Sequence, residues 1–146
     1  MNYKHILLSV ALNKDSDKVL KRAAHIAKQN HSLLSLIHVD LDILNTYEGM
    51  LGVDFEERDQ ALRQESIASM NKLIKAHGYE INEHIFHSGH VDDEILDSVK
   101  KHHIDLLIMG HHKSSLIKQM LASPSEPLLR NIPCDLMFIK LDDDKD

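Results

Sequence analysis

The chain has 146 residues, 42% hydrophobic and 27% charged, the balance of one globular domain able to bury its own core. A single cysteine excludes an internal disulfide framework. The net charge of -6 excludes the basic surface that a general nucleic-acid binder carries. Trp is absent and Tyr and Phe number 3 each, so platforms for stacking bases are few. The apolar stretch from Ile6 to Leu12 is broken by Ser9, too short for a secretory signal, and no run reaches the ~18 residues of a membrane span. The expectation is a cytoplasmic protein that touches neither membrane nor nucleic acid. Two counts remain to be explained: 12 histidines and only 5 glycines.

His5-Ile6-Leu7-Leu8-Ser9-Val10 is a continuous apolar run, the pattern of a strand buried on both faces. Asp15 or Ser16 is placed to cap a helix with apolar positions Val19, Leu20, Ala23, Ala24 and Ala27 at a 3–4 spacing. A second strand follows over Leu33–Val39. Residues 40–54 have no clear period. The stretch from Phe55 to His77 reads as a long helix through Leu62, Met70, Leu73 and Ile74, with Gly78 placed to end it. A third strand is expected over Ile81–Phe86. A helix opens with Asp92, Asp93 and Glu94 and closes with Lys100, Lys101, His102 and His103, acid first and base last as the helix dipole favours. Ile104–Met109 makes a fourth buried strand that stops at Gly110. Ser114–Asn131 is helical in pieces, interrupted by Pro124 and Pro127. Pro133–Ile139 makes the last strand. Domain 1–141 is then complete, and residues 142–146, with four acids and one base, form an acidic tail expected to be disordered.

Alternating buried strands and helices imply parallel pairing with right-handed crossovers, hence an α/β fold built on an open, doubly wound sheet. Ligands of such sheets bind beyond the strand C-termini, where the winding reverses. With the first strand beside the fourth, that crevice is bounded by Ala11–Asp15 and Gly110–Lys113.

Lys4-His5-Ile6-Leu7, Leu34-Ser35-Leu36-Ile37-His38-Val39-Asp40 and Asp105-Leu106-Leu107-Ile108-Met109-Gly110-His111-His112 resemble the universal stress protein family along nearly the whole chain. Within that family the loop Tyr47–Val53 and the triplet Gly110-His111-His112 are similar to the non-ATP-binding subgroup. The resemblance implies five parallel strands in the order 3-2-1-4-5, a homodimer, a cytoplasmic location and a role in surviving stress or growth arrest. It also places candidate cleft residues at Ala11, Val39, Gly110, His111, His112, Lys113 and Ser123. Members that bind ATP carry Gly, two residues, Gly, nine residues, then Gly and a hydroxyl residue after the fourth strand. Here Gly110 starts the pattern, but Lys113, Ser123 and Pro124 occupy its other positions. Glycines at such a loop let backbone N–H groups approach phosphate oxygens, whereas Lys113 interposes a side chain and Pro124 removes a donor. Ala11 stands where the resemblance implies an acidic contact to the nucleotide base. With three departures in a degenerate nucleotide-binding loop and a fourth in the same site at Ala11, no ATP cofactor is expected; Lys113 could instead bring charge to another anion. The alternative is an ATP-binding switch or weak ATPase.

His84, His87 and His90 share the three-residue spacing of helical zinc ligands, but a strand sends His84 and His87 to opposite faces, so no metal site is expected. At the crevice, His111 and His112 suit an anion or metal contact or a proton switch near pH ~6–7. Equally, one of them can satisfy loop backbone while the other stays in water. His38, inside a buried strand, reads as a hydrogen-bonded core residue. Cys134 lacks a helix N-terminus to activate it and reads as a structural thiol. No nucleophile, base and orienting group assemble from spacing, so no enzymatic activity is expected. The final strand would expose Leu136, Met137, Phe138 and Ile139 along a sheet edge, and pairing with a second copy would cover them in a two-fold dimer.

Overall fold

Five short runs rich in Leu, Ile and Val form strands, and the amphipathic segments between them form helices. The computed structural model describes residues 2–41, 55–111 and 127–141. In chain order the elements are β1 (His5–Ser9), α1 (Ser16–Asn30), β2 (Leu33–Leu41), α2 (Phe55–His77), β3 (His84–Gly89), α3 (Val91–Lys101), β4 (Leu106–His111), α4 (Pro127–Asn131) and β5 (Asp135–Lys140). The strands make one parallel sheet in the order β3-β2-β1-β4-β5, as expected. β1 lies at the centre, with Ile6 in register with both Leu34 and Leu106, and Leu8 with both Leu36 and Ile108.

The strand period of two divides the apolar side chains between two cores. Ile6, Leu8, Leu34, Leu36, Leu106 and Ile108 pack with Val19, Leu20 and Ala23 of α1 and with Met70 and Leu73 of α2. Leu7, Ile37, Leu107 and Met109 face the other way, against Ile95, Leu96 and Val99 of α3 and Leu128 of α4. Each fully buried Leu or Ile contributes about 1.5–3 kcal/mol. Among the described residues, no helix is long and apolar enough to cross a membrane.

Helix ends follow sequence chemistry in part. Gly78 adopts φ +65° directly after α2, the left-handed turn that glycine permits. α1 ends instead on His31, also left-handed at φ 55°, with its amide on the carbonyls of Ala27 and Lys28. At the other end of α1 neither candidate caps by its side chain. Asp15 makes no cap hydrogen bond. Ser16 Oγ instead accepts the Asn13 amide at 2.9 Å, and Asn13 Oδ1 accepts the Asp15 amide at 3.0 Å. The loop folds back on itself in an Asx turn before the helix starts.

Three strands begin later than expected, and β2 runs two residues beyond Val39 to Leu41. β3 begins at His84 rather than Ile81, because Leu36 of β2 pairs first with His84. Ile81 packs against the core ahead of the strand. β4 begins after Ile104 and runs through Gly110 to His111, which pairs with Lys140. Asp105, just before it, turns its carboxylate to the amides of Lys4 at 2.7 Å and His5 at 3.0 Å. β5 starts at Asp135, two residues after Pro133, which has no amide to give a ladder. It is an edge strand as expected, but Ile139 is buried at 7% exposure within its own core; Leu136, Met137 and Phe138 are half-buried. What β5 offers a partner is therefore its backbone edge and three partly covered side chains, not four exposed ones.

Candidate functional site

Beyond the C-terminal ends of the neighbouring strands β1 and β4 lies a cleft of about 330 Å³. Ala11, Asn13, Asp15 and Ser16 form one wall, Val39 and His38 of β2 another, and Met109, Gly110 and Leu141 the third. Three candidates chosen from sequence, Ala11, Val39 and Gly110, are thus brought together. His111 follows as the last residue of β4. His112, Lys113, Ser123 and Pro124 lie outside the described residues, as do the loop Tyr47–Val53 and the tail 142–146.

Gly110 has the lining that most limits the cleft. A Cβ placed on it would lie 2.8 Å from Leu141 Cδ1 and 3.1 Å from Val19 Cγ2. The bare side of this glycine is therefore covered by the chain's own apolar side chains, themselves 6% and 4% exposed. The glycine serves close packing of β4 against α1 and the segment after β5. The lining is otherwise mostly apolar. Asp15, beside the first turn of α1, is its one fixed charge among the described residues, and no Lys or Arg lines it. A carboxylate there complements the positive end of the helix dipole that an anionic ligand would otherwise use. Between Ala11 and Asn13, Leu12 turns away from the cleft lining and sits at φ 59°, a conformation costing a bulky residue about 1–2 kcal/mol. Packing of its side chain on the core holds it there.

Next to the cleft lies a polar cluster that the sequence reading missed. Asp40, 5% exposed near the end of β2, holds three partners. His38 Nε2 lies 2.9 Å from its Oδ1, Ser66 Oγ donates to Oδ1 at 2.9 Å, and Arg63 Nε donates to Oδ2 at 3.4 Å. Arg63 also donates to the Phe86 carbonyl at 3.3 Å and to Ser88 Oγ at 2.7 Å, fastening α2 to β3. His38 Nδ1 donates to the Val10 carbonyl at 2.7 Å, so both ring nitrogens face acceptors. His38 is the hydrogen-bonded histidine expected, with one edge on the cleft. A signal for the cluster existed: His38 and Asp40, two residues apart on one strand, share a face. Its ordered, satisfied bonds rigidify the cleft wall, and no atom in it is free to attack a substrate.

The remaining candidates disperse. His84 is exposed at the start of β3, and His90 is the residue before α3. His87 Nδ1 meets Glu94 Oε2 at 3.3 Å, so Glu94 does more than complement its helix dipole. Among the described residues, no three His, Cys, Asp or Glu side chains converge as a metal would need. Burial pushes the Cys134 thiol up to about 11, the opposite of activation. At the far end of the sheet, His5 lies between Ser35 Oγ at 2.7 Å and the His102 carbonyl at 3.2 Å; desolvation lowers its pKa.

Comparison with known proteins adds lineage to this geometry. Residues 2–140 match the universal stress protein family. Universal stress protein A of Photorhabdus laumondii is 31% identical over 145 residues, covering 99% of this chain and 100% of the relative. A solved protein from the universal stress protein family of Burkholderia pseudomallei superposes with TM-score 0.71 at 18% identity, over 94% of this chain and 96% of its own. A universal stress protein solved in complex with cAMP superposes with TM-score 0.63 at 16% identity, over 95% and 98% of the two chains.

Proposed function

The chain belongs to the universal stress protein family, and from that premise we propose that it acts in the response to stress or growth arrest as a dimeric interaction or signalling protein of the cytoplasm. In this reading it binds ATP weakly or not at all and turns over no substrate. The packing at Gly110 carries the proposal. A phosphate cradle needs backbone N–H groups that oxygens can approach, yet Leu141 and Val19 already cover the glycine that would begin one. Ala11 brings no acidic group to the cleft, and the described lining contains no cation to meet a phosphate. The satisfied cluster around Asp40 supplies no nucleophile. β5, at the sheet edge with half-buried Leu136, Met137 and Phe138, supports dimerisation through that strand.

The competing reading is a nucleotide-dependent switch or weak ATPase, favoured by the fold shared with the neighbour solved with cAMP. Isothermal titration of the full chain with Mg-ATP, and separately with cAMP, tells them apart. We expect no saturable heat from either; micromolar binding of either would replace our reading with the switch. Light scattering at micromolar concentration is expected to give the mass of two chains, and a monomer would remove the dimeric part.

A further inference from the structure

We infer that the groove between α1 and β5 is a docking surface for an acidic, extended segment of a partner protein. The groove shares no lining residue with the cleft, is far larger at about 1430 Å³, and has the opposite charge character. Lys18, Lys21, Arg22 and Lys28 of α1, with Lys140 of β5, line it, and among the described residues no Asp or Glu does. In a chain of net charge -6, that is a local reversal of sign.

Helical geometry orders these cations. Positions 18, 21, 22, 25 and 28 recur at three- and four-residue intervals, so Lys18, the Lys21–Arg22 pair, His25 and Lys28 form one stripe along the helix. Like charges so spaced repel by about 0.2–0.5 kcal/mol per pair. The chain does not relieve this repulsion at Lys21, Arg22 or Lys28, which enter no ion pair among the described residues. Asp17, the one acid of α1, instead meets His77 of α2 at 3.0 Å. A stripe left in mutual repulsion gains most from acids supplied from outside.

Shape and spacing select an extended segment. Ala24, Ile26 and Tyr79, all half-buried, give the groove an apolar component between its charges. Successive rungs of the stripe are about 5 Å apart along the helix axis, and alternate side chains of an extended strand are about 6.6 Å apart. The stripe from position 18 to 28 spans about 15 Å, and three alternate side chains of a strand span about 13 Å, so a strand alternating acidic and apolar residues can set three acids along the stripe and its apolar side chains on the floor. This inference goes beyond the dimeric reading and uses none of the hydrogen-bonding groups on the outer edge of β5.

The test is fluorescence anisotropy on the full chain with a labelled octapeptide of alternating Glu and Val, at low salt. We expect saturable binding, at least about tenfold weaker for the corresponding Gln and Val octapeptide, and weakened at least about tenfold by Lys21→Glu with Lys28→Glu. Lys100→Glu with Lys101→Glu, an equal charge change on exposed residues of α3 across the sheet, should leave binding within about twofold. Equal losses from the two double variants, or no binding, would overturn the inference. Tighter binding of a single-stranded DNA octamer would overturn it in favour of nucleic acid. Light scattering on the same samples separates the readings: a monomer that still binds the octapeptide removes the dimer alone. A mass changed by Lys21→Glu with Lys28→Glu would make the groove a contact between copies and overturn the inference.

Discussion

Gly110→Ala tests whether the cleft is filled by the chain's own side chains. The added methyl would lie 2.8 Å from Leu141 Cδ1, closer than carbon atoms tolerate, and 3.1 Å from Val19 Cγ2. Leu141 can yield by rotating the far end of its side chain, but Val19 is fixed on α1. Overpacking of this kind costs about 1–3 kcal/mol, set against about 0.5–1 kcal/mol gained when Ala replaces Gly in a strand. The net expectation is a loss of about 1–2 kcal/mol in urea unfolding with the slope unchanged. Leu141→Ala alone should lose about 2–5 kcal/mol through the cavity it leaves. Combined, the two should lose at least about 1 kcal/mol less than their sum, because the new methyl occupies space that Leu141 vacates. Additivity within about 0.5 kcal/mol, or a stabilising Gly110→Ala, would show that Leu141 does not close over Gly110 and would refute the packing argument.

Asp40→Ala should destabilise by about 1–3 kcal/mol, since it strands the buried Ser66 hydroxyl and takes one of three acceptors from Arg63; urea unfolding showing under about 0.5 kcal/mol would mean the cluster is dispensable. His31→Gly should stabilise by about 0.5–1 kcal/mol, because the exposed His31 holds a left-handed turn that glycine adopts freely; thermal unfolding checks the sign. His5, desolvated in the fold, has its pKa lowered from the ordinary 6.5, so the unfolded chain takes up the proton first. Its contribution to stability is present above pH 6.5 and is lost as pH falls from there through the folded-state value. The pH slope of the urea midpoint in that window should flatten in His5→Gln; an unchanged slope would assign it to other groups.

The central place of β1 beside β4 was legible because these most buried strands are also the most continuous apolar runs, and a strand covered on both faces leaves no polar period to confuse the reading; the full order came from the family resemblance. β3 was displaced because an edge strand needs fewer apolar residues. His84, His87 and Ser88 serve there, while the apolar Ile81 belongs to the approach. The cap of α1 was misread because Asn13, not Asp15, makes the local turn, and sequence cannot rank side chains that compete for the same amides. In the cleft, Ala11 and Gly110 could be placed by topology alone. That Gly110 is covered by Leu141 could not, since it depends on where the chain passes after β5. The Asp40 cluster joins β2, β3 and α2, and no local spacing announces a contact between Asp40 and Arg63 or Ser66.

The central place of β1 has a consequence for how the protein is made. Its five residues are synthesised before those of the other four strands, and one side of the strand is completed by β2 soon after. The other side waits for β4, whose residues 106–111 leave the ribosome about 100 positions later. Throughout that interval the amides and carbonyls along one side of β1 lack their ladder partner, and Leu7 lacks Leu107 beside it. A nascent chain halted between β3 and β4 would present that open strand to any extended segment nearby. The protein's hazard during synthesis thus lies at its N-terminal strand, which becomes the most enclosed part of the finished fold.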